Sequence, residues 1–371
     1  MKFVCERSAL LKILLNISRN VSQRSNILAL EGVHISVKNS IAYFECFNME
    51  FGLKTSLEVS EAEEGSVVIL AKVFTDIVKK LPDSIVSLKA ENSVVSITCL
   101  DCCFDIPLIP SEEFPKLPCV EDEEPISMSS EVLRSMIQQT IFATDDSSST
   151  NNKLYTGELW EVKNGFLNVV ALDGARMSLR KEPVNINTDF KIVIPGKALS
   201  EFLRLLPCED EDIKVYLSER YVFFELENYT FLSRLLEGNF LDYSSAIPSE
   251  FSTRIRLNVK NMISSLECVS VIINDRLQSP VKAIIEPPIN IKLSCSTPIG
   301  KSSDEVEAEV SGEALEIAFN DKYFLDALKS CDSDEVIIEL TSSLKPIKII
   351  PLHGDSFLFL VLPVRMKEND S

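Results

Sequence analysis

Two short motifs in this sequence bring together residue types able to bind metal or phosphate: Cys99-Leu-Asp-Cys102-Cys103 and Gly300-Lys-Ser302. A C-x-x-C can hold zinc or exchange disulfides, but a structural zinc site needs four ligands. The two histidines, His34 and His353, stand far from the cluster along the chain. Met1-Lys-Phe-Val-Cys5 lacks an apolar signal core, so the ten scattered cysteines read as reduced, mostly buried thiols, and the cluster as a strand with its thiols inside. Gly-Lys-Ser would close a phosphate loop only with a glycine at position 295, where Cys295 stands. Neither histidine sits beside a nucleophile motif, which leaves no Ser-His-Asp or Cys-His arrangement. Asp173-Gly-Ala-Arg176 has the makeup of a tight turn with a polar gate; a hydrolase using Asp173 and Arg176 would need an enclosed polar pocket there. The expectation is a chain that is not an enzyme, with no metal and no cofactor.

The other residues able to act are bases, and they repeat. Lys72/Lys79, Lys197/Arg204 and Lys322/Lys329 are pairs seven apart, and successive pairs begin 125 residues apart. An acid follows four residues after the first base each time: Asp76, Glu201 and Asp326. The segments holding them, 71–81, 196–206 and 321–331, read as amphipathic helices, each entered from an apolar stretch and followed by alternating strands. A looser set of helices opens each third at 6–20, 130–143 and 258–273, with Ser129 or Ser130 and Asn258 as candidate N-caps. Each third therefore has two helices and many strands. The fold class expected is α+β, antiparallel sheets covered on one face by a pair of helices, three times in tandem. The boundaries fall at the acidic linker Glu121-Asp-Glu-Glu124 and near 244–251, giving domains 1–120, 121–246 and 247–371.

The formal charge of −19 argues against a nucleic-acid grip unless the bases are gathered in one layer. They are gathered: the six helical windows hold twelve bases against seven acids, a net +5, which leaves −24 elsewhere. Such a layer would attract phosphates weakly and without base reading. The plainer reading is a helix face laced with its own ion pairs, because Asp76, Glu201 and Asp326 share a face with their bases. With 45% hydrophobic and 25% charged residues, the composition is that of a globular protein, and apolar runs such as 357–364 are too short to cross a bilayer. No membrane association and a cytoplasmic location are expected.

Several segments, in order and correctly spaced, resemble the bacterial β sliding clamp family, the processivity subunits of DNA polymerase III. They are Met1-Lys-Phe-x-Cys-Glu-Arg7, Val170-Ala-Leu-Asp-Gly-Ala-Arg-Met177, Leu236-Glu-Gly-Asn-Phe-Leu-Asp-Tyr243 with Ile247-Pro248, and Leu362-Pro-Val-Arg-Met366. The resemblance spans essentially the whole chain. It implies the DNA clamp fold, three domains per subunit, and a head-to-tail homodimer whose six domains form a ring with helices lining the hole. Positions matching the family's DNA-facing residues are Arg24, Lys72, Lys79, Lys197 and Arg204. Lys12, Lys80, Lys322 and Lys329 join them from the repeat.

The resemblance further implies a hydrophobic groove where the replicative polymerase, the clamp loader and repair proteins insert a short peptide with a Gln and bulky apolar residues. Its matching positions are Tyr155, Leu172, Gly174, Arg176, Met177, Leu241, Ala246, Tyr323, Leu344, Pro346, Leu360, Leu362, Pro363, Val364, Arg365 and Met366. Ala175 stands where the family usually has His, Leu241 where it has Pro, and Ser245 where Arg is common, which points to a shifted peptide preference. The subunit edges, Asp101–Asp105 and Gly300–Ser303, lack the family's usual arginine–glutamate pairing; Phe104, Ile106, Val271 and Ile272 are the apolar candidates for that contact. The partners implied are double-stranded DNA, bound without sequence preference, and peptide-bearing proteins. The competing reading is an acidic three-domain scaffold that binds only proteins, which requires Lys72, Lys79, Lys197 and Arg204 on scattered outer surfaces.

Overall fold

In α1 (Arg7–Asn20), Leu10, Ile13, Leu14 and Ile17 recur at helical spacing and are the apolar residues it buries. The repeated helices follow the same rule. In α2 (Ala71–Lys80), Ala71, Phe74, Thr75 and Val78 face inward and the lysines outward. The remaining helices are α3 (Ser130–Gln138), α4 (Gly196–Leu203), α5 (Val259–Ser270) and α6 (Asp321–Lys329). Asn258 caps α5 by accepting from the Asn261 N–H at 3.1 Å, and Asn320 caps α6 through the Tyr323 N–H at 3.2 Å. At α3, Ser129 Oγ accepts from the Val132 N–H at 3.3 Å, while Asp210 Oδ1 takes the Glu131 N–H at 3.1 Å. Asp210, from the acidic run Glu209-Asp-Glu-Asp212, is thus a helix cap, where its charge also meets the positive end of the helix dipole. Arg7 does the converse, donating to the Val78 and Lys79 carbonyls at the C-terminal end of α2.

The computed structural model describes residues 1–22, 24–120, 124–145, 152–186, 189–273 and 279–365. They form two compact units, one of 1–133 with 197–235, the other of 134–196 with 236 onward. In the first unit, an eight-stranded antiparallel sheet runs in the order 126–129, 212–217, 221–225, 229–234, 51–58, 41–47, 32–38, 65–70. Its central seam pairs Tyr229–Arg234 with Phe51–Glu58, so strands from successive thirds share one sheet. α1 and α2 pack on each other and on this sheet, and Phe202 of α4 stacks on Phe224 at 4.1 Å between ring centroids. A five-stranded sheet completes the unit and ends at the edge strand Cys102–Pro107.

The second unit is built alike. Nine strands run 190–195, 157–163, 166–172, 176–183, 357–361, 347–351, 335–340, 253–258, 309–312, and the seam between thirds pairs Arg176–Pro183 with Phe357–Val361. A four-stranded sheet ends at the edge strand Gly300–Glu307, and α5 and α6 pack together. Gly300-Lys-Ser302 therefore begins an extended strand rather than a loop entering a helix.

Three expectations change. The helix expected over 196–206 stops at Leu203, which puts Arg204 just beyond it. The helix over 130–143 stops at Gln138 and gives way to a single 3-10 turn, Ile141–Ala143. Of the ten cysteines, all free, only Cys5, Cys46, Cys99 and Cys295 are buried; Cys102, Cys103, Cys119, Cys208 and Cys268 are exposed. Cys102 and Cys103 lie on an edge strand that faces solvent on both sides, so alternation along it buries neither.

Beside the end of α3 lies a wholly buried carboxyl, Glu158. Thr140 Oγ1 is 2.8 Å from the Met136 carbonyl and 2.9 Å from Glu158 Oε1. A hydroxyl has one proton and a carbonyl can only accept, so the arrangement is satisfied when Thr140 donates to Met136 and a protonated Glu158 donates to Thr140. Trp160 Nε1–H donates to the other carboxyl oxygen at 3.3 Å. Burial accordingly pushes the Glu158 carboxyl from 4.5 up to about 8. Its folded value lies above its unfolded one, so its contribution favours folding least at high pH. That contribution falls by about 1.4 kcal/mol per pH unit between the two values and is level above them. Glu158→Gln keeps one donor and one acceptor without the titration. It is expected to gain stability over the parent progressively from pH 5 to pH 9 in urea unfolding; parallel pH profiles for the two proteins would contradict the protonated assignment.

Candidate functional site

The second seam ends in a turn. Asp173 N–H donates to the Arg176 carbonyl at 3.2 Å, and Asp173 Oδ1 accepts from the Ala175 and Arg176 N–H groups at 2.9 and 3.0 Å. Gly174 takes φ +89°, a left-handed conformation that glycine adopts without strain. The hydrogen bonds accepted by Asp173 close this turn or hold Arg176.

Arg176 is the most heavily engaged charge in the region. Its Nε donates to Asp173 Oδ2 at 2.8 Å and its Nη1 to Asp326 Oδ2 at 2.5 Å. The guanidinium lies 4.5 Å from the centroid of the Tyr323 ring and 5.5 Å from that of Phe142. With side-chain exposure of only 12%, it needs those partners to offset lost hydration.

An apolar surface opens beside this turn. Below it, Leu172, Met177 and Leu360 are buried in a cluster with Leu154, Leu159, Val170, Val193 and Phe240. Tyr155 packs on that cluster and meets Phe240 edge-on at 6.2 Å. Above it, Leu241, Leu344, Leu362 and Val364 are exposed at 48, 66, 43 and 39%. Ala246 and Arg365 are also exposed, while Tyr323, Pro346 and Pro363 are half-buried. Backbone bonds position the C-terminal segment: Leu362 N–H to the Ala175 carbonyl at 2.8 Å, and Val364 N–H to the Ala318 carbonyl at 2.7 Å. Exposed aliphatics such as Leu362, beside the turn, can take up bulky apolar side chains from a peptide. Met366 lies outside the described residues. Sequence reasoning missed Phe142, and it paired Asp326 with lysines on its own helix; the residues they serve stand far away in the chain.

The bases form a second feature. Lys12, Lys72, Lys79, Lys80, Lys197 and Arg204 are all exposed, on or directly after the helices that cover one face of the first unit's large sheet. Arg24 is exposed just after α1. In the second unit Lys322 and Lys329 are exposed on α6. The expected neutralisation by the repeated acids is partial. Lys79 lies 3.8 Å from Asp76, Arg204 binds Glu201 at 2.7 Å and Lys329 binds Glu267 at 2.7 Å. Lys72, Lys197 and Lys322 have no ion-pair partner among the described residues. Exposed pairs of this kind are individually weak and leave the bases available to phosphate.

The two edge strands are a third. On Cys102–Pro107, Phe104 is 37% exposed and Ile106 half-buried. Near Gly300–Glu307, which is tied to α5 by Ser302 Oγ donating to the Val269 carbonyl at 2.7 Å, Val271 is 79% exposed and Ile272 packs partly against the core.

Comparison with known proteins covers the whole chain. The family model for the DNA polymerase III beta subunit, N-terminal domain, matches residues 1–118; those for its central and C-terminal domains match 127–242 and 244–365. The beta sliding clamp of Bacillus subtilis is 30% identical over 378 residues, covering 98% of this chain and 100% of that protein. The beta sliding clamp of Halalkalibacterium halodurans is 31% identical over 382 residues, with 98% and 100% covered. The crystal structure of the DNA polymerase sliding clamp from Bacillus subtilis superposes with a TM-score of 0.96 at 30% identity, covering 99% of this chain and 100% of that one.

The turn supports a direct measurement. A Cβ on Gly174 would meet nothing within 4 Å, so Gly174→Ala tests backbone conformation alone. The left-handed geometry should lower stability by about 1 kcal/mol, seen as a reduced urea midpoint at unchanged slope. A neutral or stabilising result would mean that the turn does not require this conformation.

Proposed function

The chain belongs to the DNA polymerase III beta-subunit family, the sliding clamps, and on that premise we propose that it encircles duplex DNA as a non-catalytic processivity subunit and tethers other replication proteins there. Segregation of charge carries the reading. Six exposed bases emerge from the helical layer on one side of the first unit's sheet, in a chain whose net charge is −19. An acidic scaffold binding only proteins has no use for that layer, whereas phosphates do. The contacts would be to phosphate alone, from flexible side chains partly engaged with acids. Such contacts are weak and independent of sequence, which suits a protein that must slide.

Retention then has to be topological. In this reading two copies join head to tail, the edge strand Cys102–Pro107 of one beside Gly300–Glu307 of the other, each sheet edge satisfying the other's unpaired backbone groups. Three clamp domains per copy make six around the ring. The α6 lysines of each copy, Lys322 and Lys329, extend the basic lining with Arg24 and the six bases above. Two kinds of sheet edge that differ from each other give a heterologous contact that closes after two copies.

The apolar surface bounded by Leu241, Leu344, Leu362 and Val364 is read as the tether, a groove for the short peptides of the replicative polymerase, the clamp loader and repair proteins. Leu172, Met177 and Leu360 would serve as its floor, and Tyr155, Gly174, Arg176, Ala246, Tyr323, Pro346, Pro363 and Arg365 as its walls and rim.

Two experiments address the two halves. On nicked circular DNA, after loading by the clamp-loader ATPase, the protein should remain bound in high salt and be released when the circle is cut. Equal retention on circular and linear DNA would rule out encirclement. For the tether, Leu362→Ala should weaken binding of a fluorescent polymerase-derived peptide at least tenfold with unfolding unchanged, since Leu362 is 43% exposed and outside the core. Unaltered peptide affinity would dismiss this groove.

A further inference from the structure

The acid repeated in α2, α4 and α6 has two different fates. Asp76 lies beside Lys79 and Glu201 holds Arg204, each within its own repeat. Asp326 instead reaches 150 residues back along the chain to Arg176, and Lys329, the base three residues after it, pairs with Glu267 of α5. We infer that Asp326 is a positioning residue of the peptide groove: it holds Arg176 so that the 173–176 turn keeps a fixed distance from α6. The inference rests on the reading of the groove given above and goes beyond it by naming what sets the groove's width.

Three pieces of chain bound this part of the groove: the turn, the C-terminal segment and α6. Backbone hydrogen bonds join the C-terminal segment to both neighbours, through the Ala175 carbonyl on one side and the Ala318 carbonyl, in the strand leading to α6, on the other. The turn and α6 meet through side chains, by Arg176 bonded to Asp326 and lying against the Tyr323 ring. Asp173 cannot substitute for Asp326, because it belongs to the same turn and moves with it. Without Asp326, Arg176 would stay paired with Asp173 but lose its charged link to α6. Tyr323 would then be free to shift relative to Gly174. Asp326 is 35% exposed, so its carboxylate can be altered without opening the core.

The amide variant Asp326→Asn preserves shape and removes the charge. Binding of a synthetic fluorescein-labelled peptide carrying one glutamine and two bulky apolar residues would be followed by anisotropy for the wild type, Asp326→Asn, Asp326→Glu, Arg176→Gln and the double variant Asp326→Asn/Arg176→Gln. Asp326→Asn should weaken the peptide about tenfold, the worth of one hydrogen bond between charged groups, with the protein still folded at the assay temperature by thermal unfolding. Asp326→Glu should recover most of that affinity, and in the Arg176→Gln background Asp326→Asn should cost nothing further. A wild-type affinity for Asp326→Asn, or losses that multiply in the double variant, would overturn the positioning role while leaving the groove in place. Failure of the wild type to bind the peptide would overturn the groove reading and this inference with it.

Discussion

The architecture depends on antiparallel seams that cross from one third of the chain to the next. In the first unit Phe231 and Leu232 pair with Leu53 and Gly52; in the second, Met177 and Leu179 pair with Leu360 and Leu358. Each seam turns two smaller sheets into one large one and buries apolar side chains across the join. At about 1.5–3 kcal/mol for each large side chain fully buried, a handful of such residues suffices to make the join permanent. The consequence is mechanical. A helix layer lying on one continuous sheet cannot drift relative to its neighbours, so bases displayed by α1, α2 and α4 keep their spacing without being bonded to one another. The proposed groove would depend on the second seam in the same way, because the turn at 173–176 begins where the pairing of Arg176 with Val361 ends.

Charge follows a similar logic of separation. Acids were expected to neutralise in part the bases within each repeated helix, and Asp76 and Glu201 do so, while other acids are used in different ways. Asp210 caps α3, Asp326 holds Arg176, and Glu158 stays neutral in the core. Lys72, Lys197 and Lys322, the first base of each pair, are left with no ion-pair partner among the described residues. Lys72 and Lys197 lie on the helical layer of the first unit and Lys322 on α6 of the second, and exposed bases of this kind would attract phosphate weakly. This is the electrostatic requirement for movement along a duplex.

Much of this was legible in the residues alone, and what was legible was local. Helical spacing of Leu10, Ile13, Leu14 and Ile17, the capping role of Asn258 and the Asp-Gly turn at 173–174 all depend on residues within a turn or two of each other. The 125-residue repeat added the domain plan. What could not be read was set by sheet order or by distance along the chain. Whether Cys102 and Cys103 are buried depends on which strand ends the sheet, and alternation within that strand is silent on the point. The end of α3 at Gln138 depends on Thr140 meeting Glu158. The choice made by Asp326 depends on an arginine 150 residues away; from sequence, Lys322 and Lys329 on the same helix were the obvious partners.

That choice bears on how one helix can serve two surfaces. α6 exposes Lys322 and Lys329, while Tyr323 and Asp326 turn to Arg176. Positions 322 and 329 lie seven residues apart, near two full turns, and 323 and 326 sit on an adjoining stripe. Had Asp326 paired with Lys322, the helix would have lost a free base on one side and a tether on the other. Pairing with Arg176 avoids both losses, because the guanidinium is already committed to Asp173 and closed off by Tyr323 and Phe142. A buried cation consumes the acid, and the exposed cations remain available.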